Sequence, residues 1–132
     1  MSARASFDYA ILRVVPRVER EEFFNVGVVL FCLQRDFLEA QTELHPGRLA
    51  AFAPGMDVAG VEEHLAALAR VCRGGKEAGV LGLLSQRERF HWVVAPRSTI
   101  LQASAVHSGL CVSPEESLAQ LLKTMVRNPV SR

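Results

Sequence analysis

The sequence predicts an α+β domain, with a small, mainly antiparallel sheet of three to four strands and helices packed on one face. Two observations carry that class. Before residue 45 the chain is a series of runs rich in β-branched and aromatic residues, joined by connections too short for parallel crossovers. Beyond it the period changes, and apolar residues recur three and four apart behind recognisable caps. No internal repeat or low-complexity linker divides the 132 residues, so residues 1–132 are expected to form one domain.

Phe7 to Val15 predicts the first strand, stopped by Pro16. Phe7, Tyr9, Ile11 and Val15 share one face with Arg13, while Ala10, Leu12 and Val14 form the other. Two mostly apolar faces place this strand inside the sheet. Arg17 to Glu22 carries too much charge to be buried and predicts a solvated connection. Phe23 to Leu33, the most hydrophobic run, predicts a second central strand. Gln34-Arg35-Asp36 then turns the chain into a third strand, Phe37 to Leu44. There Leu38, Ala40, Thr42 and Leu44 alternate with Glu39, Gln41 and Glu43, so one face is wet and the strand lies near an edge.

Pro46 to Ala53 predicts one or two helical turns, interrupted by Pro54-Gly55. Asp57 caps a longer helix with the stripe Val58, Val61, Leu65, Leu68 and Cys72. Arg70 and Arg73 complement its carboxyl end, and Gly74-Gly75 closes it. Ala78 to Leu84 reads as a short helix. Ser85-Gln86-Arg87-Glu88 matches a capping box, with Phe90 and Val94 behind it and Pro96 ending the helix. Thr99 to Val106 supplies a fourth strand. Ser113-Pro114-Glu115-Glu116 opens the last helix, whose expected buried stripe is Leu118, Leu121, Leu122 and Met125. Lys123 and Arg127 suit its carboxyl end, and Asn128-Pro129 terminates it.

Composition excludes several functions. With 49% hydrophobic residues the chain has enough apolar surface to offset its ordering entropy, which excludes disorder. Fifteen basic against fourteen acidic residues give a net charge of +1, too little for a field that binds nucleic acid or a membrane surface. The amino terminus lacks the continuous apolar stretch of a signal peptide. Val26 to Leu33 is much shorter than the about 20 residues a membrane helix needs. Cys32, Cys72 and Cys111 are far apart, with no Cys-x-x-Cys, which fits neither a structural zinc site nor a disulfide framework. Cys32 and Cys72 read as small core hydrophobes, and the expected setting is a reducing cytoplasm.

Five residues break pattern in a way that suggests ligand binding: Arg13, Asn25, Gly27, Arg97 and Ser98. Asn25 must satisfy its amide inside an apolar run, and Gly27 marks a bulge or a close approach by a backbone or ligand. Either the two border a recess, or Asn25 bonds the neighbouring connection and Gly27 makes room for a ring such as that of Trp92. Arg13 requires a counter-charge, which Glu19, Glu21 or Glu22 would supply across the first connection. The other reading joins Arg13 to Arg97 and Ser98 as an anion site, because a bidentate guanidinium with hydroxyl donors suits phosphate or carboxylate. The rule that buried charges are paired favours the salt bridge.

His45, His64, His91 and His107 show no metal-ligand spacing, and the chain lacks the glycine-rich phosphate-binding patterns. No metal or cofactor is therefore expected, and no catalytic residue is assigned. His107 and Cys111 resemble a base and a nucleophile only by composition, without a third orienting residue, and read better as surface residues near a loop.

Tyr9-Ala-Ile-Leu-Arg13-Val-Val-Pro16, with Glu19-Arg20-Glu-Glu-Phe-Phe-Asn25-Val-Gly27-Val-Val-Leu-Phe31, resembles a bacterial family catalogued as domain-of-unknown-function family 3037. Glu88-Arg89-Phe90, Ala95-Pro96-Arg97-Ser98 and Gly109-Leu110-Cys111 agree, so the likeness runs through nearly the whole chain. The resemblance implies a small cytoplasmic protein, and a loose gene linkage to HipA-like kinases implies a protein partner. The expectation is a non-enzymatic protein-interaction module, with self-association also open because a small sheet has free edges. The alternative is a small anion-binding enzyme or ligand-binding domain using Arg13, Asn25 and Arg97.

Overall fold

A computed structural model describes residues 3–97 and 99–127. Its centre is a five-stranded antiparallel sheet built from β1 (Ala5–Val14), β2 (Phe24–Cys32), β3 (Phe37–Thr42), β4 (Leu101–Ala103) and β5 (His107–Cys111). The order is β3-β2-β1-β4, and β5 also pairs with β1, so β4 and β5 share one side of that strand. The α+β class and the antiparallel meander thus follow the reading of the sequence. Where β4 leaves β1 before β5 begins, Ser104 fills the ladder. Its Oγ accepts from the Ile11 N–H at 2.8 Å, and its own N–H donates to the Ile11 carbonyl at 2.8 Å.

The helices are α1 (Pro46–Phe52), α2 (Val58–Arg73), α3 (Gln86–Val94) and α4 (Pro114–Met125). The first three cover one face of the sheet, where Leu12, Val14, Val26, Val29 and Phe31 meet Leu49, Leu65, Leu68, Phe90 and Val93. Helix α4 lies on the other face, against Phe7, Ile11, Val28, Leu30 and Cys32. The expectation of helices on one face is corrected here. Strands β1 and β2 are apolar on both faces, so one helical layer would have left half of that surface in water.

Local signals placed the helix ends well. The Asp57 side chain accepts from the Gly60 N–H at 3.1 Å, and Ser113 caps α4 through the Glu116 N–H at 3.3 Å. Ser85 and Glu88 form a reciprocal capping box at 3.2 and 3.0 Å. Its backbone and hydroxyl hydrogen bonds hold the Glu88 carboxyl below the usual carboxylate range. Ser85→Ala should cost about 1 kcal/mol, read as a lower urea midpoint with an unchanged slope.

Other expectations shift. Residues expected as a helix from Ala78 to Leu84 form a 3-10 segment, Lys76–Leu83, broken at Gly79, with Val80 and Leu83 outside. Residues expected as loop become β5, and Cys111 is buried in it. In α4, Met125 lies 41% exposed while Val126 is buried in its place. The predicted terminator Asn128-Pro129 lies outside the described residues. Among the described residues no helix is long and apolar enough to cross a membrane.

Candidate functional site

The register of the sheet assembles the site. Arg13 stands opposite Asn25 on β2 and opposite Gln102 on β4, and cross-strand partners share a face. The result is a polar row, Asn25–Arg13–Gln102, across three strands on the α4 face. A bulge between Leu12 and Arg13 shifts the pairing by one residue and so brings Asn25 rather than Val26 beside Arg13.

Arg13 lies over the Phe23 ring, with its guanidinium carbon 3.8 Å from the centroid. The expected salt bridge to Glu19, Glu21 or Glu22 does not form; Glu22 instead takes Arg20 at 2.7 Å. Desolvation holds the Arg13 pKa below its ordinary value. Among the described residues its Nε has no hydrogen-bond partner, and neither does the buried Asn25 Oδ1. The Asn25 amide nitrogen donates to the Met125 carbonyl at 3.1 Å. Asn25 thus ties β2 to the end of α4, not to the neighbouring connection. Arg127 Nε binds both oxygens of Glu43, at 2.9 and 3.2 Å, fastening the same helix end to the segment after β3 and lowering the Glu43 pKa.

Gly27 borders no recess. A Cβ there would lie 2.9 Å from the Gln41 carbonyl oxygen and 2.9 Å from Thr42 Cγ2. The glycine makes room for the β3 backbone, and the expected ring of Trp92 is not its neighbour. Arg97 does not join Arg13. It donates to the Val93 carbonyl at 3.2 Å and to the Trp92 carbonyl, and stacks on the Trp92 ring at 4.4 Å. It therefore caps the end of α3 on the opposite face of the sheet. Ser98 lies outside the described residues. The structure brings Arg13 and Asn25 together and leaves Arg97 apart.

Sequence reasoning missed Phe23 and Gln102 beside Arg13, because both depend on pairing register. It also missed Arg89, which is 8% exposed and donates to the carbonyls of Leu84, Val71 and Cys72. The Glu88-Arg89-Phe90 segment carried the only available signal.

The remaining chemistry is dispersed. His107 rests against the Tyr9 ring at 5.4 Å, while Cys111 is buried at the other end of β5. Four strand steps of about 3.3 Å separate their backbones, too far for a base and its nucleophile. Burial pushes the Cys72 thiol up to about 12, so it stays protonated at neutral pH. Among the described residues no group of three His, Cys, Asp or Glu could hold a metal ion. A groove of about 400 Å³ lies between the β1–β2 turn and the α1–α2 loop, lined by Arg17, Arg20 and Phe52 among others. Arg13, Asn25, Gly27 and Arg97 do not line it.

The model of one family, described as protein of unknown function (DUF3037), matches residues 9–126. No curated protein and no solved structure matches the chain.

Proposed function

The chain belongs to the DUF3037 family, and from that premise we propose that it is a non-enzymatic protein-interaction module of the bacterial cytoplasm. Its docking element is the outer edge of β5, which receives an extended apolar segment of a partner protein. The observation that supports this reading is a contrast between the two edges of the sheet. Edge strand β3 carries Glu39, and Glu43 follows it, the charged guard that soluble proteins place on exposed edges. The β5 stretch from Ala105 to Val112 carries no Lys, Arg, Asp or Glu, yet Val106, Leu110 and Val112 are 44%, 62% and 53% exposed. Strand addition draws affinity from main-chain hydrogen bonds and specificity from such alternate side chains.

The partner class implied by the family's gene linkage is a kinase of the HipA-like type. Mixing the chain with such a kinase should slow amide exchange along β5, and Leu110→Lys should abolish the protection. Leu110 is exposed, so the melting temperature should hardly move. If the wild-type chain alone elutes as a dimer with β5 already protected, the edge serves self-association instead. A kinase complex unaffected by Leu110→Lys would refute the edge as the docking element.

A further inference from the structure

We propose that Arg13 is a binding site for a carboxylate carried on an apolar body, an aromatic or branched-chain acid. This goes beyond the strand-docking reading and does not depend on it. Arg13 is a charge without a carboxylate partner among the described residues, and its Nε lacks an acceptor, whereas neighbouring Arg20 and Arg127 are engaged by Glu22 and Glu43. A partly desolvated guanidinium gains most from an anion that arrives in the plane of its fork, because charge-assisted hydrogen bonds are about twice as strong as neutral ones.

The surroundings select the kind of anion. The Phe23 ring lies against the guanidinium, its centroid 3.8 Å from the guanidinium carbon, and Nε is buried, so an incoming carboxylate would meet the Nη1–Nη2 end of the fork. A carboxylate matches that planar fork. Asn25 and Gln102 stand opposite Arg13 in the register and add no competing charge; their amide nitrogens donate to the Met125 and Thr99 carbonyls. Phe23, against the cation, is 46% exposed, and Met125, whose carbonyl takes the Asn25 amide, is 41% exposed; Phe23 supplies the apolar shelf. Helix α4 packs on β2 and reaches β1 at Phe7 and Ile11, while Arg13, farther along β1, is only half-buried. Inorganic phosphate would satisfy the charge but gain nothing from the shelf.

The test titrates the isotopically labelled chain with 3-phenylpropionate and follows the Arg13 Nε–H and the Asn25 and Gln102 side-chain amides by NMR. Saturable shifts at these three groups are expected, with none from the neutral 3-phenylpropionamide. Arg13→Gln should weaken binding at least tenfold. Phe23→Ala, at an exposed position, should weaken it several-fold without unfolding the chain. Arg13→Lys keeps the charge but loses the fork, and should also bind less well. Shifts that are equal with the neutral amide, unchanged in Arg13→Gln, or matched by inorganic phosphate at the same concentration would overturn the proposal. If Arg13→Gln does not fold, the wild-type titration decides: shifts elsewhere than at the three groups, or no saturation, would refute it.

Discussion

Replacing Arg89 with Ala should destabilise the fold by about 3–5 kcal/mol, the largest single loss expected for a charged residue in this chain. The guanidinium donates to three carbonyls: Leu84 at 3.1 Å, Val71 at 3.0 Å and Cys72. Val71 and Cys72 belong to the last turn of α2, which carries the negative end of the helix dipole; the Gly74 N–H reaches the Arg70 and Val71 carbonyls, and Arg89 adds a charged donor to Val71 and Cys72. Arg89 thus caps α2 from α3 and closes the connection between them. Removing it takes the charged donor from the buried Cys72 carbonyl, which costs more than the bond was worth, and leaves Val71 only its bond from Gly74. Arg89→Lys should recover only a minor part, since a single ammonium cannot reach three carbonyls in a fixed fork. Urea unfolding would measure the loss. Arg87→Ala, at an exposed site two residues earlier, should stay within about 0.5 kcal/mol. A comparable loss in both variants would show that the helix surface, and not the buried cap, matters.

Gly27→Val should cost about 2–3 kcal/mol, by overpacking. Its φ is not positive, so glycine's conformational range is not the reason. Space is. The new Cβ would meet the Gln41 carbonyl oxygen and Thr42 Cγ2, both at 2.9 Å, and a carbonyl oxygen cannot rotate away. The β2–β3 ladder would part at the Gly27–Thr42 pair, and faster amide exchange at Gln41 and Thr42 should report it. Thr42→Ala removes one of the two clashes and should rescue part of the loss in a double-mutant cycle. A full rescue would mean that the backbone contact is harmless. A neutral Gly27→Val would sink the close-approach account altogether.

Much of this fold was legible because its signals are local. Ser85, Asp57 and Ser113 announced their helices through side chains that bond a backbone N–H three residues on, and each does so. The alternation from Leu38 to Glu43 put β3 at an edge, where it is. β5 was missed because Ser108 and Gly109 carry no strand propensity; pairing with β1 holds the segment extended, and Gly109 is there to clear the Phe7 ring, 2.7 Å from where a Cβ would lie.

The candidate site shows the same division. The sequence by itself determined the class, the order of the elements, the helix caps, and the oddity of Arg13, Asn25 and Gly27 in apolar strands. Tertiary structure alone decided which arginine goes inside, since Arg13, Arg89 and Arg97 look alike in the chain. Arg89 became the buried cap and Arg97 the surface one, while Arg13 took the Phe23 ring and no carboxylate among the described residues. The physical reason is range. Capping and alternation act over a few residues, whereas the partner of a guanidinium is fixed by strand register and helix placement, and a one-residue bulge is enough to change it.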